Sequence, residues 1–358
     1  MRQKTYSVLR AILFAAGALH LAACASAPTS TPTSPTGGTP LSASNTATSG
    51  PLLAAWWDST HKGLRTVSGV LGAAIQGAPT FSDGSYNGAS ACIRKNIALL
   101  SNTSGSLFSV SLPQGTPVAI ASNSNPKALI VFSPSCTSAL VYASGTSAAL
   151  LVRGLPSAAT VTSVTLPTGT SSAVVGDSGS ILTAVSAAGG TAIQLLAIGT
   201  NVAQPVTVLG KFGGMGFVPR VDTALLADAS ANTVVEASSL TSNMSLTSLA
   251  GAADGVSNPA AIAISADGRF AAIANAKGSS VLRLDLSGQS APVNTVCQCS
   301  PTELEPLAGN FAFRLNEPGS GTVWAFDGNG LQPRVLFIPS DQAVNTSQAA
   351  SAGHGGSR

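Results

Sequence analysis

The chain has 358 residues, of which 44% are hydrophobic, 9% are charged and 5% are aromatic. Three of its 17 basic residues lie in an N-terminal segment that we expect to be removed, which leaves 14 basic residues against 14 acidic ones. A neutral chain without a basic cluster lacks the electrostatic footprint that nucleic acids attract, so nucleic acid is excluded as a partner. No later stretch reaches the roughly 18 consecutive apolar residues of a membrane span, which indicates a soluble folded protein.

Residues 1–23 follow the plan of a secretory signal peptide. Basic residues at Arg2, Lys4 and Arg10 precede an apolar stretch and then small residues. The run that ends in Cys24 resembles the bacterial lipobox, which implies cleavage before Cys24 and acylation of its thiol and amino group. We therefore expect an exported lipoprotein held on a membrane by its lipid anchor.

Two details of this segment concern the destination of the protein. Ala25 and Ser26, where some lipoproteins carry Asp, resemble the pattern that is sorted to the bacterial outer membrane. The alternative is ordinary secretion with cleavage near Ala25 or Ala27, because the residues there are small.

Two segments lack the apolar residues that a core needs. Residues 24–50 consist almost entirely of Ser, Thr, Pro, Gly and Ala after the lipidated Cys, which predicts a disordered linker. Residues 341–358 are similarly poor in apolar residues and are predicted to form a disordered tail. The folded domain is expected at 51–340.

A repeat runs through this domain. A short apolar strand, a small polar turn and a second apolar strand recur about every 43 residues, with turns at Pro134, Asp177, Pro219 and Asp267. This period predicts an all-β fold, a β-propeller of six or seven four-stranded blades, and small residues suit its crowded inner strands. A β-sandwich is the alternative, because short strands at regular spacing fit it as well.

The clearest repeat, NPAAIAISADGRFAAIANAKGSSVLRLDL, resembles the YVTN and NHL-like propeller repeats. The resemblance implies that Asn-Pro leads into an inner strand, that S-x-D-G forms the next hairpin and that Ala-Asn precedes the following turn. The matching residues are Asn258, Pro259, Ser265, Asp267, Gly268, Ala274 and Asn275. The match is good over one repeat and degenerate elsewhere, so it supports the fold more than an activity.

The residues of the domain do not assemble an obvious catalytic site. His61 is its only histidine, and it lies in the polar turn DSTHKG, so a Ser-His-Asp triad or a His-based metal site lacks its parts. The acidic residues are scattered, and several precede Gly in tight turns. We therefore expect no cofactor, no metal and no enzyme activity. The alternative is a lactonase-like hydrolytic propeller that uses metal-bound water.

Four cysteines remain after lipidation, and in an exported protein they are expected to form disulfides. Cys92 and Cys136 are one repeat period apart, which places them in comparable turns of adjacent blades. Cys297 and Cys299 flank a single residue. Three connectivities are possible, and pairing of neighbours is preferred; metal binding by Cys-x-Cys is the rival.

The remaining polar and aromatic loop residues suggest a binding role. Binding residues concentrate on loops carried by a rigid scaffold, so we expect a monomeric platform for a protein or glycan of the cell envelope. A ligand-free structural protein is a further alternative. The candidate surface residues are Trp56, Trp57, His61, Lys62, Tyr86, Arg94 and Arg220.

Overall fold

A computed structural model describes residues 50–122, 125–200, 202–319 and 321–339. These residues form seven antiparallel sheets, each of which pairs strands that follow one another in sequence. The sheets are the seven blades of a β-propeller, which confirms the predicted fold and fixes the blade number at seven. The predicted signal peptide, Cys24, the linker up to residue 49 and the tail at 341–358 lie outside the described residues.

The blades occupy successive parts of the chain. Blades 1 to 3 contain β1 Leu52–Asp58, β2 Gly63–Ser68, β3 Ile75–Thr80; β4 Tyr86–Cys92, β5 Ile97–Asn102, β6 Leu107–Ser111, β7 Val118–Ala121; β8 Leu129–Phe132, β9 Ser138–Tyr142, β10 Ala148–Arg153, β11 Thr160–Thr165. Blades 4 and 5 contain β12 Thr170–Val175, β13 Ile181–Ala187, β14 Gly190–Leu196, β15 Ala203–Leu209; β16 Phe212–Phe217, β17 Thr223–Asp228, β18 Thr233–Ser238, β19 Ser245–Ala250. Blades 6 and 7 contain β20 Pro259–Ile264, β21 Phe270–Asn275, β22 Ser280–Asp285, β23 Val293–Val296; β24 Glu305–Pro306, β25 Ala312–Arg314, β26 Val323–Asp327, β27 Arg334–Ile338. Two short 3-10 helices span Ile93–Lys95 and Ala252–Asp254.

Strand positions within a blade are named A to D from the axis outward. Because each blade is an antiparallel meander, its A–B and C–D turns lie at one end, on what we call the A–B face. The B–C turns and the links between blades lie at the opposite end, on the B–C face. Pro259 begins β20, and the turn that contains Asp267 and Gly268 joins β20 to β21, as the repeat predicted.

Blade 1 departs from the predicted four strands, because its described residues supply only positions B, C and D. Asp58 at the end of β1 accepts hydrogen bonds from the backbone N–H groups of Thr60 and His61. Asp228 at the end of β17, a B strand, accepts the equivalent bonds in blade 5. β3 is half-exposed like the D strands of the other blades. β1 is therefore a B strand, and the A position of blade 1 is unfilled within the described chain.

Neighbouring blades pack face to face through hydrophobic clusters, one at each of the seven interfaces of the described chain. The cluster between blades 7 and 1 joins Leu53 and Trp56 to Leu307, Val323 and Ile338. Each fully buried aliphatic side chain of this kind stabilises the fold by about 1.5–3 kcal/mol relative to exposure. Side-chain packing therefore closes the ring, since no described strand is shared between blades 7 and 1.

Small residues allow the A strands to approach one another near the axis. A Cβ placed on Gly214 in β16 would lie only 2.9 Å from the backbone N of Ile262 in β20, and Gly214 has a φ of +119°. A larger residue is excluded at this position by both the space and the backbone conformation. The crowding explains why four of the A strands, β4, β12, β16 and β20, are rich in Gly, Ala and Ser.

Candidate functional site

A channel of about 380 Å³ runs along the axis of the propeller. The A strands of blades 2 to 7, with the residues just before β24, line this channel, and no described residue of blade 1 does. Most of the side chains in the wall are small or apolar, among them Ala91, Ile130, Ser172, Val174, Ala261 and Ala263. Such a wall offers few directional polar groups to a ligand.

Glu303, in the segment that precedes β24, lines the channel and pairs with Arg314 at the end of β25. Arg314 Nη2 lies 3.0 Å from Glu303 Oε2, and the Arg314 guanidinium stacks over the Trp56 ring at 5.8 Å from its centroid. Burial raises the pKa of Glu303, and the positive charge of Arg314 opposes that shift. The pair is part of the interface between blades 7 and 1.

The A–B turns of adjacent blades are joined to each other by polar contacts. The carboxylate of Asp177 in blade 4 accepts bonds from the N–H and hydroxyl of Ser135 in blade 3, at 2.7 and 2.8 Å, and from the N–H of Arg220 in blade 5, at 2.9 Å. Asp267 in blade 6 is joined to Asn310 in blade 7: its backbone N–H donates to the Asn310 amide oxygen and its carboxylate accepts from the Asn310 amide nitrogen. These contacts make the A–B face a rigid surface.

Replacing Asp177 with Ala is expected to lower the free energy of unfolding by about 2 kcal/mol, because it removes three bonds between blades 3, 4 and 5 at roughly 0.5–1.5 kcal/mol each. Chemical denaturation measures the change. Asp222→Ala is the control: among the described residues its carboxylate bonds only Thr241, in the same blade, so this variant should lose less. An equal loss in both variants would contradict a role for Asp177 between blades.

Disulfides pair the four cysteines as neighbours, as predicted. Cys92 is bonded to Cys136, which joins the A–B turns of blades 2 and 3, and their Cα atoms are 6.2 Å apart. Cys297 is bonded to Cys299 in the link between blades 6 and 7. The Cys92–Cys136 bridge, like the hydrogen bonds of Asp177, joins A–B turns of adjacent blades. The Cys297–Cys299 bridge lies within a single loop.

A cluster of cations surrounds Asp177 on the A–B face. Arg94 is half-buried, and its Nη1 donates to the carbonyl of Pro134 at 2.8 Å. Burial lowers the pKa of Arg94, the charge of Asp177 raises it and the charge of Arg220 lowers it, so both charges act on this guanidinium. Arg153 is exposed and lies against Gly179, in the same turn as Asp177. We call Arg94, Arg153 and Arg220 the arginine cluster.

The arginine cluster carries a net positive charge. Donors from the neighbouring turns occupy the oxygens of Asp177, and no hydrogen bond or ion pair joins the Arg153 or Arg220 side chain to another described residue. Lys95 is also exposed beside Arg94. Guanidinium groups in this arrangement suit carboxylate, sulfate or phosphate oxygens, which they bind in a bidentate geometry.

The structure separates the other candidate residues from this cluster. Trp56 is only 5% exposed and packs between blades 1 and 7, because strand alternation turns it inward; it is a core residue and not part of a surface. Trp57 is half-exposed, and His61 and Lys62 are exposed in the β1–β2 turn on the B–C face. Tyr86 is half-buried between Phe81 and Phe108.

Two further findings concern metal binding and membrane crossing. Within the described ranges, no group of three or more His, Cys, Asp and Glu side chains is placed to hold a metal ion. No helix in the same part of the chain has the length and hydrophobicity that a membrane crossing requires.

No protein-family model matches this sequence, and no curated protein matches it. A functionally unknown protein from Desulfotomaculum acetoxidans DSM 771 is similar in structure, with a TM-score of 0.55 and 12% identity over 81% of this chain and 99% of that chain. A streptogramin B lyase has a TM-score of 0.51 and 12% identity over 73% and 86% of the two chains. Virginiamycin B lyase from Staphylococcus aureus has a TM-score of 0.49 and 11% identity over 70% and 83%. At such identities the first two similarities show the propeller fold alone.

Proposed function

We propose that this protein is an exported, lipid-anchored propeller that acts as a non-catalytic platform and binds an acidic protein or glycan of the cell envelope. The arginine cluster on the A–B face is the observation that carries the proposal. Arg94 of blade 2 bonds the Pro134 carbonyl beside Ser135, Arg153 of blade 3 lies against Gly179, and Arg220 of blade 5 donates its backbone N–H to Asp177, so three arginines meet near one carboxylate that neighbouring turns already occupy. A ligand with several anionic groups would neutralise their mutual repulsion.

The rigidity of the A–B face supports a binding role. The Cys92–Cys136 bridge and the bonds of Asp177 fix the backbone on which Arg94 and Arg220 stand. A preorganised surface loses less conformational entropy when it binds, so more of the interaction energy appears as affinity. Loops fixed on a scaffold in this way are common carriers of binding residues.

The N-terminal sequence supports the proposed location. The lipobox-like run before Cys24 and two disulfides are both consistent with export, since disulfides persist in oxidising compartments. We place the protein on the bacterial outer membrane as a monomer, at its periplasmic or outer surface. We also propose that the Asn258–Leu286 repeat is related to the YVTN and NHL-like propeller repeats that it resembles.

Binding to acidic glycans on an array and to acidic peptides in solution tests the proposal. Replacing Arg94 and Arg220 with Ser should weaken the strongest interactions at least tenfold, and the affinity of the natural chain should fall as salt rises. The control variant changes Trp57 to Ala and Lys62 to Ser on the opposite face and should bind normally. Equal binding by all three proteins, or no acidic ligand at all, would contradict the proposal.

A further inference from the structure

A second cavity opens on the A–B face and shares a wall with the channel. It has a volume of about 560 Å³ and is bounded by the start of β1, the end of β2, the A–B and C–D turns of blade 2 and the A–B turn of blade 7. We call this cavity the turn pocket. Ile93 and Arg94 line both the turn pocket and the channel, so the two cavities meet at this turn. A cavity of this size is large enough for a small ligand or for one unit of a polymer.

Arg94 provides the turn pocket with a fixed positive charge. Its Nη1 donates to the carbonyl of Pro134 at 2.8 Å, which holds the guanidinium in place. A guanidinium has five N–H donors, and the others of Arg94 make no hydrogen bond to a described residue. The side chain is half-buried, so water screens its charge less than it screens that of an exposed arginine. The guanidinium is therefore placed to bind a carboxylate.

The rest of the turn pocket is polar but uncharged. Thr66, Ser68, Asn96 and Gln114 line it, and their side chains make no hydrogen bond to another described residue. Arg94 is the one charged residue among the described residues of the lining. Hydroxyl and amide groups both donate and accept, so they match the hydroxyls of a ligand better than further charges. The turn pocket therefore suits a ligand unit with a single negative charge and several neutral hydrogen-bonding groups.

A uronic acid fits this pattern better than an acidic peptide. In a uronic acid the carboxylate is joined directly to a sugar ring that carries hydroxyl groups, so the charge and the hydroxyls lie within one pocket. In an acidic peptide, methylene groups separate the carboxylate from the next polar groups, which leaves the hydroxyls and amides of the pocket without ligand partners. Polar groups that lose water without gaining a partner weaken binding. A chain rich in sulfate or phosphate would need more than one cation in the pocket.

We propose that the turn pocket binds one uronic acid residue of an acidic glycan, with the carboxylate on Arg94 and the sugar hydroxyls on Ser68 and Gln114. This inference rests on the proposed function and deepens it, because it assigns the partner to the glycans. Arg153 and Arg220 lie outside the lining of the turn pocket and are then available to further carboxylates of the same glycan.

Calorimetric titration of the full chain with trigalacturonate tests the inference. Ser68→Ala combined with Gln114→Ala should weaken binding about tenfold, because two neutral hydrogen bonds to the sugar are lost. The same variant should bind a decaglutamate peptide like the natural chain, since the arginine cluster is intact. Ser242→Ala combined with Asn243→Ala is the matched control, because it changes exposed polar residues in the C–D turn of blade 5. This control should bind trigalacturonate normally.

A second variant and a second ligand make the test independent of folding. Gln114 is exposed in a turn, so Gln114→Ala alone should keep the fold and weaken trigalacturonate binding about threefold. The trimethyl ester of trigalacturonate lacks the negative charges and should bind the natural chain at least tenfold more weakly than the acid.

Unchanged trigalacturonate binding by both pocket variants would overturn the inference and leave the proposed function intact. Binding of decaglutamate without binding of trigalacturonate would also overturn it, because the partner would then be a protein. Equal binding of the acid and its ester would overturn the assignment of the carboxylate to Arg94. Failure of both probes to bind the natural chain would contradict the proposed function as well.

Discussion

Replacing both Cys92 and Cys136 with Ala is expected to lower Tm by about 10 °C. The two cysteines are separated by 44 positions, and closing a loop of that length restricts the unfolded chain by about 4 kcal/mol in the chain-entropy account. In a domain of this size, 1 kcal/mol corresponds to roughly 2–4 °C. Differential scanning calorimetry under non-reducing conditions measures the effect.

The second disulfide provides a control with the same chemistry. Cys297 and Cys299 are separated by only two positions, so their bridge restricts the unfolded chain far less, by about 1.5 kcal/mol in the same account. Alanine at both positions should lower Tm by no more than a few degrees. A larger fall in this variant than in the Cys92 and Cys136 variant would contradict the role assigned to the bridge between blades.

Asp58→Asn is expected to lower the free energy of unfolding by about 2.5 kcal/mol at pH 7 and by progressively less in acid. Burial acts to raise the pKa of Asp58, but the N–H of His61 and the guanidinium of Arg65 outweigh it and lower the pKa from 3.8 to about 2. A shift of this size corresponds to about 2.5 kcal/mol. The buried carboxylate therefore stabilises the fold only while it is ionised.

The direction of the pH dependence follows from the lowered pKa. The stabilisation is fully present above pH 3.8, the ordinary value, and disappears as pH falls toward 2, where the folded protein also binds the proton. Urea titrations from pH 2 to pH 7 should show the two proteins converging at the acidic end. Asp83→Asn is the control: the N–H and hydroxyl of Ser85 also lower the pKa of Asp83, but the side chain is exposed and makes no ion pair among the described residues, so its gap to the natural protein should be much smaller. A constant gap between Asp58→Asn and the natural protein would contradict the assignment.

The repeat made the fold predictable, because it reports on local structure. Ser265, Asp267 and Gly268 form the hairpin that the resemblance to propeller repeats implied, and Ala274 and Asn275 end the next strand. The pairing of Cys92 with Cys136 was predictable for the same reason, since one repeat period brings equivalent turns of adjacent blades together. The sequence predicted six or seven blades, and the structure has seven.

The contacts between blades were less predictable. Asp177 was recognised as a turn residue, but its bonds to Ser135 and Arg220 depend on how three blades are spaced around the axis. Arg94 and Arg220 were separate candidates, and Arg153 was missed because it ends a strand with no motif around it. Only the ring geometry brings these residues to one surface. Within the described residues blade 1 lacks its A strand, and the sequence did not reveal this because the hairpin of β1 and β2 resembles the start of any blade.

Hydrogen exchange with a defined polyanion tests the central claim, that the A–B face is the binding surface. The probes are a decaglutamate peptide and a polygalacturonate oligomer, each added to the full chain at low salt. The account predicts slower exchange in the turns at 93–96, 154–159 and 218–222, which carry or adjoin the arginine cluster, and no such change in the variant with Ser at Arg94 and Arg220. Protection centred on the β1–β2 turn at 59–62, or the same protection in the variant, would contradict it.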